Sequence, residues 1–165
     1  MRFYIVIPAH NEETYIRDCL ISLAEQSLAP KKIIVVNDHS SDQTPTIVDE
    51  LKTLYPYIDM VNHQSSEKHL PGEKIITAFY KGFEQLDEAY DVVCKFDADL
   101  IFPKNYLETH AKHYKKDPKL GLVAGHCYIK KNDQWVLEKL TSKDHIRGPL
   151  KAYRKACFEA IGGLK

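Results

Sequence analysis

The sequence predicts an α/β fold of three layers, α/β/α, around a mostly parallel central sheet with a mixed edge towards its C-terminal end. Three observations carry that prediction. Short apolar runs alternate with segments whose apolar residues recur at helical spacing, three times in succession before a fourth run at 92–96. The runs are continuous and rich in Ile and Val, as strands covered on both faces are. Polar segments follow three of the runs directly, and since parallel neighbours must be joined by crossovers, those segments fall along one rim of the sheet.

The first strand is expected over 3–7 and ends at Pro8. A helix follows, capped by Asn11, with Glu12 and Glu13 in the first turn, where the helix dipole favours negative charge. Ile16, Leu20, Leu23 and Ser27 recur along it at helical spacing, and Pro30 closes it. The second strand is 33–36, and the run Asn37-Asp38-His39-Ser40-Ser41-Asp42 behind it has the make-up of a loop. Thr44 and Pro45 read as N-cap and first position of a second helix with Ile47, Val48, Leu51 and Leu54 as its buried stripe. A shorter strand at 58–61 and a polar loop at 63–72 lead to a third helix with Ile76, Phe79, Phe83 and Leu86 on one face.

The fourth strand, 92–96, delivers Asp97-Ala98-Asp99. Strand geometry carried through that triplet sets both carboxylates on one side, where they can converge on one hard cation; an acidic turn without a ligand has the same sequence. Beyond it a helix over 103–114 is stopped by Asp117-Pro118. Strands are expected at 120–128 and 135–140 with no useful helix between them, hence the antiparallel or mixed edge, and a last helix over 154–161 runs into Gly162-Gly163.

At 165 residues one domain is expected. Lys and Arg total 23, as do Asp and Glu, so no long-range field draws the chain to nucleic acid or to an anionic membrane, and neither is expected as a partner. No apolar run approaches the roughly 20 residues of a spanning helix. Cys19, Cys94, Cys127 and Cys157 are widely spaced, each in an apolar periodic segment, and read as buried free thiols of a reducing cytoplasmic compartment. No His-Glu-x-x-His occurs, so a protein-built zinc centre is not expected.

The turn after the first strand, Pro8-Ala9-His10-Asn11-Glu12, holds no glycine, which excludes the Gly-x-Gly-x-x-Gly approach of backbone to a pyrophosphate, and no Gly-Lys-Ser/Thr phosphate loop is present. A diphosphate bound at this rim must have its charge met by a cation. Asp97 and Asp99 supply hard oxygen ligands suited to Mg²⁺ or Mn²⁺.

Ile5-Val6-Ile7-Pro8-Ala9-His10-Asn11-Glu12, then Val35-Val36-Asn37-Asp38-His39-Ser40-Ser41-Asp42-Gln43-Thr44, then Asp97-Ala98-Asp99, in that order and spacing, resemble glycosyltransferase family 2, inverting enzymes of the Rossmann-like GT-A fold. The resemblance covers essentially the whole chain. It implies metal-assisted transfer, with inversion, of a sugar from a nucleoside-diphosphate-sugar donor, usually a UDP-sugar, to a hydroxyl of a glycan, lipid or other acceptor. Position by position, it implies that Pro8, Ala9 and Glu12 line the nucleotide pocket and that Asp38 accepts the ring N–H of the base. Asp99 becomes the more direct ligand of a metal on the diphosphate, with Asp97 nearer the ribose or a metal-bound water. Gly72 and Lys74 resemble a Gly-x-Lys variant of the basic segment before the third helix. His145, Arg147 and Gly148 resemble the acceptor-side segment, and Arg154 with Gly162-Gly163 resembles the run before the catalytic base.

On this resemblance 1–100 is the nucleotide-sugar-binding half and 101–165 the start of an acceptor-side half. The family's general base, an acidic residue beyond the Gly-Gly, matches no residue here; it is expected past Lys165, as is any attachment to the inner face of a membrane. Plainer readings stand beside each assignment: Asp38 as a cap for the Ser40 and Ser41 amides, Glu12 as a first-turn residue, Lys74 as an exposed helix lysine, His10 and His39 as pocket-edge or solvated residues. Metal-dependent nucleotidyltransferases and phosphohydrolases also use paired aspartates, but their usual marks, a glycine-rich N-terminal loop or a nucleophilic aspartate after the first strand, are missing after Ile7. A non-catalytic nucleotide-sugar-binding module stays open.

Overall fold

A computed structural model describes residues 1–65, 72–139 and 145–164. The strands are β1 (Phe3–Ala9), β2 (Lys32–Asp38), β3 (Ile58–His63), β4 (Val92–Phe96), β5 (Leu122–Val123), β6 (Tyr128–Lys131), β7 (Gln134–Leu137) and β8 (Leu150–Arg154). The helices are α1 (Ile16–Ala24), α2 (Thr44–Leu54), α3 (Glu73–Phe83), α4 (Tyr106–Lys116) and α5 (Lys155–Ala160).

Six strands form one sheet in the order β3-β2-β1-β4-β8-β5. β1 to β4 pair in parallel, and β8 runs antiparallel to both β4 and β5. The chain winds outwards from β1 through β2 to β3, then crosses back to lay β4 on the other side of β1. That reversal opens a crevice at the carboxyl ends of β1 and β4, the place where open parallel sheets bind ligands.

The continuous apolar runs are explained by burial on both faces. Phe3, Ile5, Ile7, Ile33, Val35, Val92, Cys94 and Phe96 point to one side, against Leu20 and Leu23 of α1, Val48 and Leu51 of α2 and Leu107 and Tyr114 of α4. Tyr4, Val6, Ile34, Val36 and Val93 point to the other, against Ala78 and Phe79 of α3 and Phe158 of α5. α3 lies so close to the sheet that a Cβ on Gly82 would sit 2.6 Å from Val6 Cγ1 and 2.7 Å from Val36 Cγ2.

Several expectations need correction, and Leu54, expected in the buried stripe of α2, is 69% exposed. Asn11 has φ +54°, a left-handed turn that cannot cap a helix; the chain makes one further turn in which the Glu12 carbonyl accepts from Tyr15 and Ile16, and α1 starts at Ile16 and ends before Ser27. α2 already includes Thr44, so its N-cap is Gln43, and the Thr44 amide donates to Asp42 Oδ1 at 2.9 Å. The span 120–128 is not one strand: β5 has two residues, and β6 pairs with β7 as a separate hairpin turned by Asn132 and Asp133, both left-handed as a type I′ turn demands. β8 was not foreseen at all; it occupies the sheet position beside β4, fastened by Tyr114 Oη donating to the Ala152 carbonyl at 2.5 Å and Arg154 Nε to that of Leu120 at 2.8 Å. Cys19 and Cys94 are buried as expected, whereas Cys127 and Cys157 are half-buried; all four are free. No described helix is long and apolar enough to cross a membrane.

Candidate functional site

The loops after β1 and β2 are zipped together by the polar residues of both. The Asn11 amide donates to Ser40 Oγ at 3.0 Å, and Asn11 Oδ1 accepts from the Ser41 amide at 2.8 Å. The Glu12 amide donates to Thr44 Oγ1 at 2.8 Å, and the Glu13 amide to Asp42 Oδ2 at 3.0 Å. His10 Nδ1 donates to the Asp38 carbonyl at 2.6 Å, which fixes the proton on that nitrogen. Asn11 and His39 both take left-handed backbone to make the tight turns this contact needs. Most of the polar run between β2 and α2 therefore serves to hold the two rims at a fixed separation.

Between those rims and the turn after β4 lies a cleft of about 430 Å³, lined by Pro8, Ala9, His10, Glu12, Asp38, His39, Ser65, Lys74, Ile75, Ala78, Asp97, Ala98 and Asp99. All seven residues assigned to donor and metal binding are among them. The acidic pair converges by a different route from the one expected: β4 ends at Phe96, and a turn carries Asp97 and Asp99 into the cleft while burying Ala98 in the core. Gly72 caps α3 with φ +89°, a conformation natural to glycine, and Lys74 in the first turn faces the cleft.

Asp38 does not cap the loop. The Ser40 amide donates instead to Asn37 Oδ1 at 3.2 Å and the Ser41 amide to Asn11. Asp38 is anchored from the far side by Ser65, whose amide donates to Oδ1 at 2.8 Å and whose hydroxyl to Oδ2 at 2.5 Å. Burial raises its pKa, but the two Ser65 bonds, helped by His63 and His10, outweigh that and hold the carboxyl below its usual range. It is an anionic acceptor fixed on the cleft wall. Glu12 goes the other way: burial first, then the charges of Asp99, Asp97 and Asp42, push its carboxyl up. Like charges crowded to that degree make a site that favours a cation. Among the described residues no group of three or more His, Cys, Asp or Glu is arranged to hold a metal by itself. Phosphate oxygens of a ligand would complete the shell, as Mg²⁺-type sites commonly require.

Three lining residues, Ser65, Ile75 and Ala78, and one neighbour of the site, Lys95, are not marked by the motifs. Ser65 lies in a polar loop with no pattern to mark it. Lys95 did carry a signal, a charge inside the otherwise apolar run of β4, and its ammonium donates to Asp97 Oδ1. The acceptor-side residues are not brought into the cleft. His145 and Gly148 are exposed, and Arg147 pairs with Glu138 at the end of β7. Their segment touches the site through backbone, the Asp97 amide donating to the Pro149 carbonyl at 3.2 Å. Arg154 is structural, its guanidinium donating to the carbonyls of Leu120, Tyr114 and Asp117.

The family model described as "Glycosyl transferase family 2" matches residues 4–162. The chain belongs to that family. A curated relative, "Probable glycosyltransferase YdaM" of Bacillus subtilis (strain 168), is 37% identical over 129 residues, covering 73% of this chain and 28% of YdaM. Of solved structures, Staphylococcus aureus TarS 1–349 in complex with UDP-GlcNAc aligns at TM-score 0.71 and 21% identity over 98% of this chain and 48% of that one. The mannosyltransferase PcManGT from Pyrobaculum calidifontis, in complex with GDP-Man and Mn²⁺, aligns at TM-score 0.67 and 21% identity over 99% and 47%. These likenesses establish the GT-A fold for this family 2 chain, which spans 28% of the length of YdaM.

Proposed function

We propose that this chain is the donor-binding part of an inverting glycosyltransferase, holding a nucleoside-diphosphate sugar with Mg²⁺ or Mn²⁺ for transfer to a hydroxyl of a glycan, lipid or other acceptor. The observation that carries the reading is the cleft at the β1/β4 reversal, into which three strand-end segments separately bring Pro8, Ala9 and Glu12, then Asp38, then Asp97 and Asp99. Family membership supports it, as do relatives that bind UDP-GlcNAc or GDP-Man.

Asp38, held anionic, accepts a ring N–H of the base; uracil and guanine present one to it, cytosine and adenine do not. Asp97 would serve the ribose or a metal-bound water, Asp99 with Glu12 nearby would hold the cation more directly, and Lys74 would offer its charge to the phosphates; all four line the cleft. A divalent cation, when bound, supplies Lewis-acid stabilisation of the leaving diphosphate. No described residue is assigned the acceptor's proton, a step that calls for a general base. Residues 101–165 are read as the start of the acceptor side, and the enzyme as cytoplasmic.

Calorimetric titration with UDP tests the reading. Binding is expected with Mn²⁺ and to weaken at least roughly tenfold without it or in Asp99→Ala, the scale of losing a charge-assisted contact. Tight binding that ignores both changes overturns the metal role.

A further inference from the structure

We propose that Lys95 is a positioning residue of the donor site that acts through Asp97; the assignment rests on the donor-site reading above. Lys95 lies in register with Val6 of β1 on one side and Lys151 of β8 on the other, and is 7% exposed. It shares the α3-facing side of β4 with Val93, two residues back, and from there its ammonium donates to Asp97 Oδ1.

Stability does not account for a lysine in this place. A buried ion pair returns little more than its desolvation costs, and a like charge directly across the ladder, Lys151, adds repulsion. What Lys95 does is fix Asp97. That residue is held at its amide by the Pro149 carbonyl at 3.2 Å and at its carbonyl by the Cys19 thiol at 3.7 Å. Lys95 takes Oδ1 and leaves Oδ2 without a partner among the described residues, on a side chain that lines the cleft.

Lys95 also places a positive charge beneath a cleft lined by Glu12, Asp38, Asp97 and Asp99. That charge opposes a bare cation and favours an incoming diphosphate. Its removal therefore moves two affinities in opposite directions, which damage to the fold cannot do.

The test is Lys95→Met, with free Mn²⁺ followed by electron paramagnetic resonance in the absence of nucleotide and UDP followed by calorimetry at saturating Mg²⁺. Mn²⁺ alone is expected to bind several-fold tighter and UDP about tenfold weaker, with the thermal midpoint unchanged or raised. Lys95→Met combined with Asp97→Ala is expected to lose less UDP affinity than the two single losses added together, since Lys95 acts chiefly through that carboxylate. Unchanged constants, a fall in both, or additive losses overturn the assignment. Should Lys95→Met fail to fold, Lys95→Gln is read by the same two constants. Wild-type protein that binds no UDP overturns the donor-site reading and this assignment with it; ordinary wild-type binding with an indifferent Lys95→Met overturns this assignment alone.

Discussion

Ser65 and Asp38 show how a single pair of hydrogen bonds gives a surface carboxylate a task. The Ser65 amide and hydroxyl offset burial and depress the Asp38 pKa, so the group is an acceptor throughout the neutral range. For a depressed carboxylate, the stability it brings is present above its unfolded value of about 3.9 and is lost as pH falls through the lower folded value. Ser65→Ala, which removes the hydroxyl bond and keeps that of the amide, is expected to cost about 1 kcal/mol in urea unfolding at pH 7, where the lost bond reaches a charged partner, and distinctly less at pH 3. The same variant should weaken UDP binding several-fold. Asp38→Ala should bring UDP affinity down to that of CDP, which wild type binds about tenfold more weakly; competition titrations with the two nucleotides measure the ratio. Equal wild-type affinities would remove Asp38 from base reading.

At the level of elements, α3 and α4 make separate predictions. Gly82 lets α3 approach β1 and β2, and Gly82→Ala forces a methyl into Val6 and Val36; a loss of about 1–3 kcal/mol is expected, seen as a lower thermal midpoint. His110 of α4 is buried, its Nδ1 donating to the Tyr106 carbonyl at 2.9 Å while Nε2 has no partner among the described residues, and burial pushes its pKa down to about 4. Between that value and about 6.5 the unfolded chain binds the proton and the folded one does not, so stability falls as pH drops through this window. His110→Leu should flatten that part of the midpoint-against-pH curve; an unchanged slope would show that another group sets it. These elements also mark what was legible in sequence. β1, β2 and β4 were readable because burial on both faces writes an uninterrupted apolar run, and the rim followed from their parallel order. β8 was not, because Leu150-Lys151-Ala152-Tyr153-Arg154 carries two charges and becomes a strand through pairing with β4 and β5. The left-handed Asn132-Asp133 pair is of residue types that favour a hairpin turn. Asn11 looks like a cap in sequence because its actual partner, the Ser41 amide, is supplied by a loop 30 residues away.

For the whole molecule, the sheet order is what turns three scattered polar segments into one site. Reversal at β1 sets the first and third segments side by side, and the hydrogen-bonded zipper between residues 10–13 and 38–44 adds the second. The acidic pair is readable as a pair, and Lys95 stands out as a charge in an apolar run; that the pair enters by a turn, and that the Lys95 ammonium reaches Asp97, depends on packing no local pattern encodes. The chain's balanced charge fits this arrangement, since recognition is left to local groups within the cleft. The most direct measurement is amide mapping of the ¹⁵N-labelled chain by nuclear magnetic resonance, with UDP and Mg²⁺ and then with Mn²⁺ as a paramagnetic probe. Shifts are expected at Ala9 to Glu12, Asp38, Lys74 to Ala78 and Asp97 to Asp99, with Mn²⁺ broadening strongest around Asp99 and Glu12. Shifts confined to the β6–β7 hairpin or the α5 side, with the cleft amides unmoved, would contradict the account.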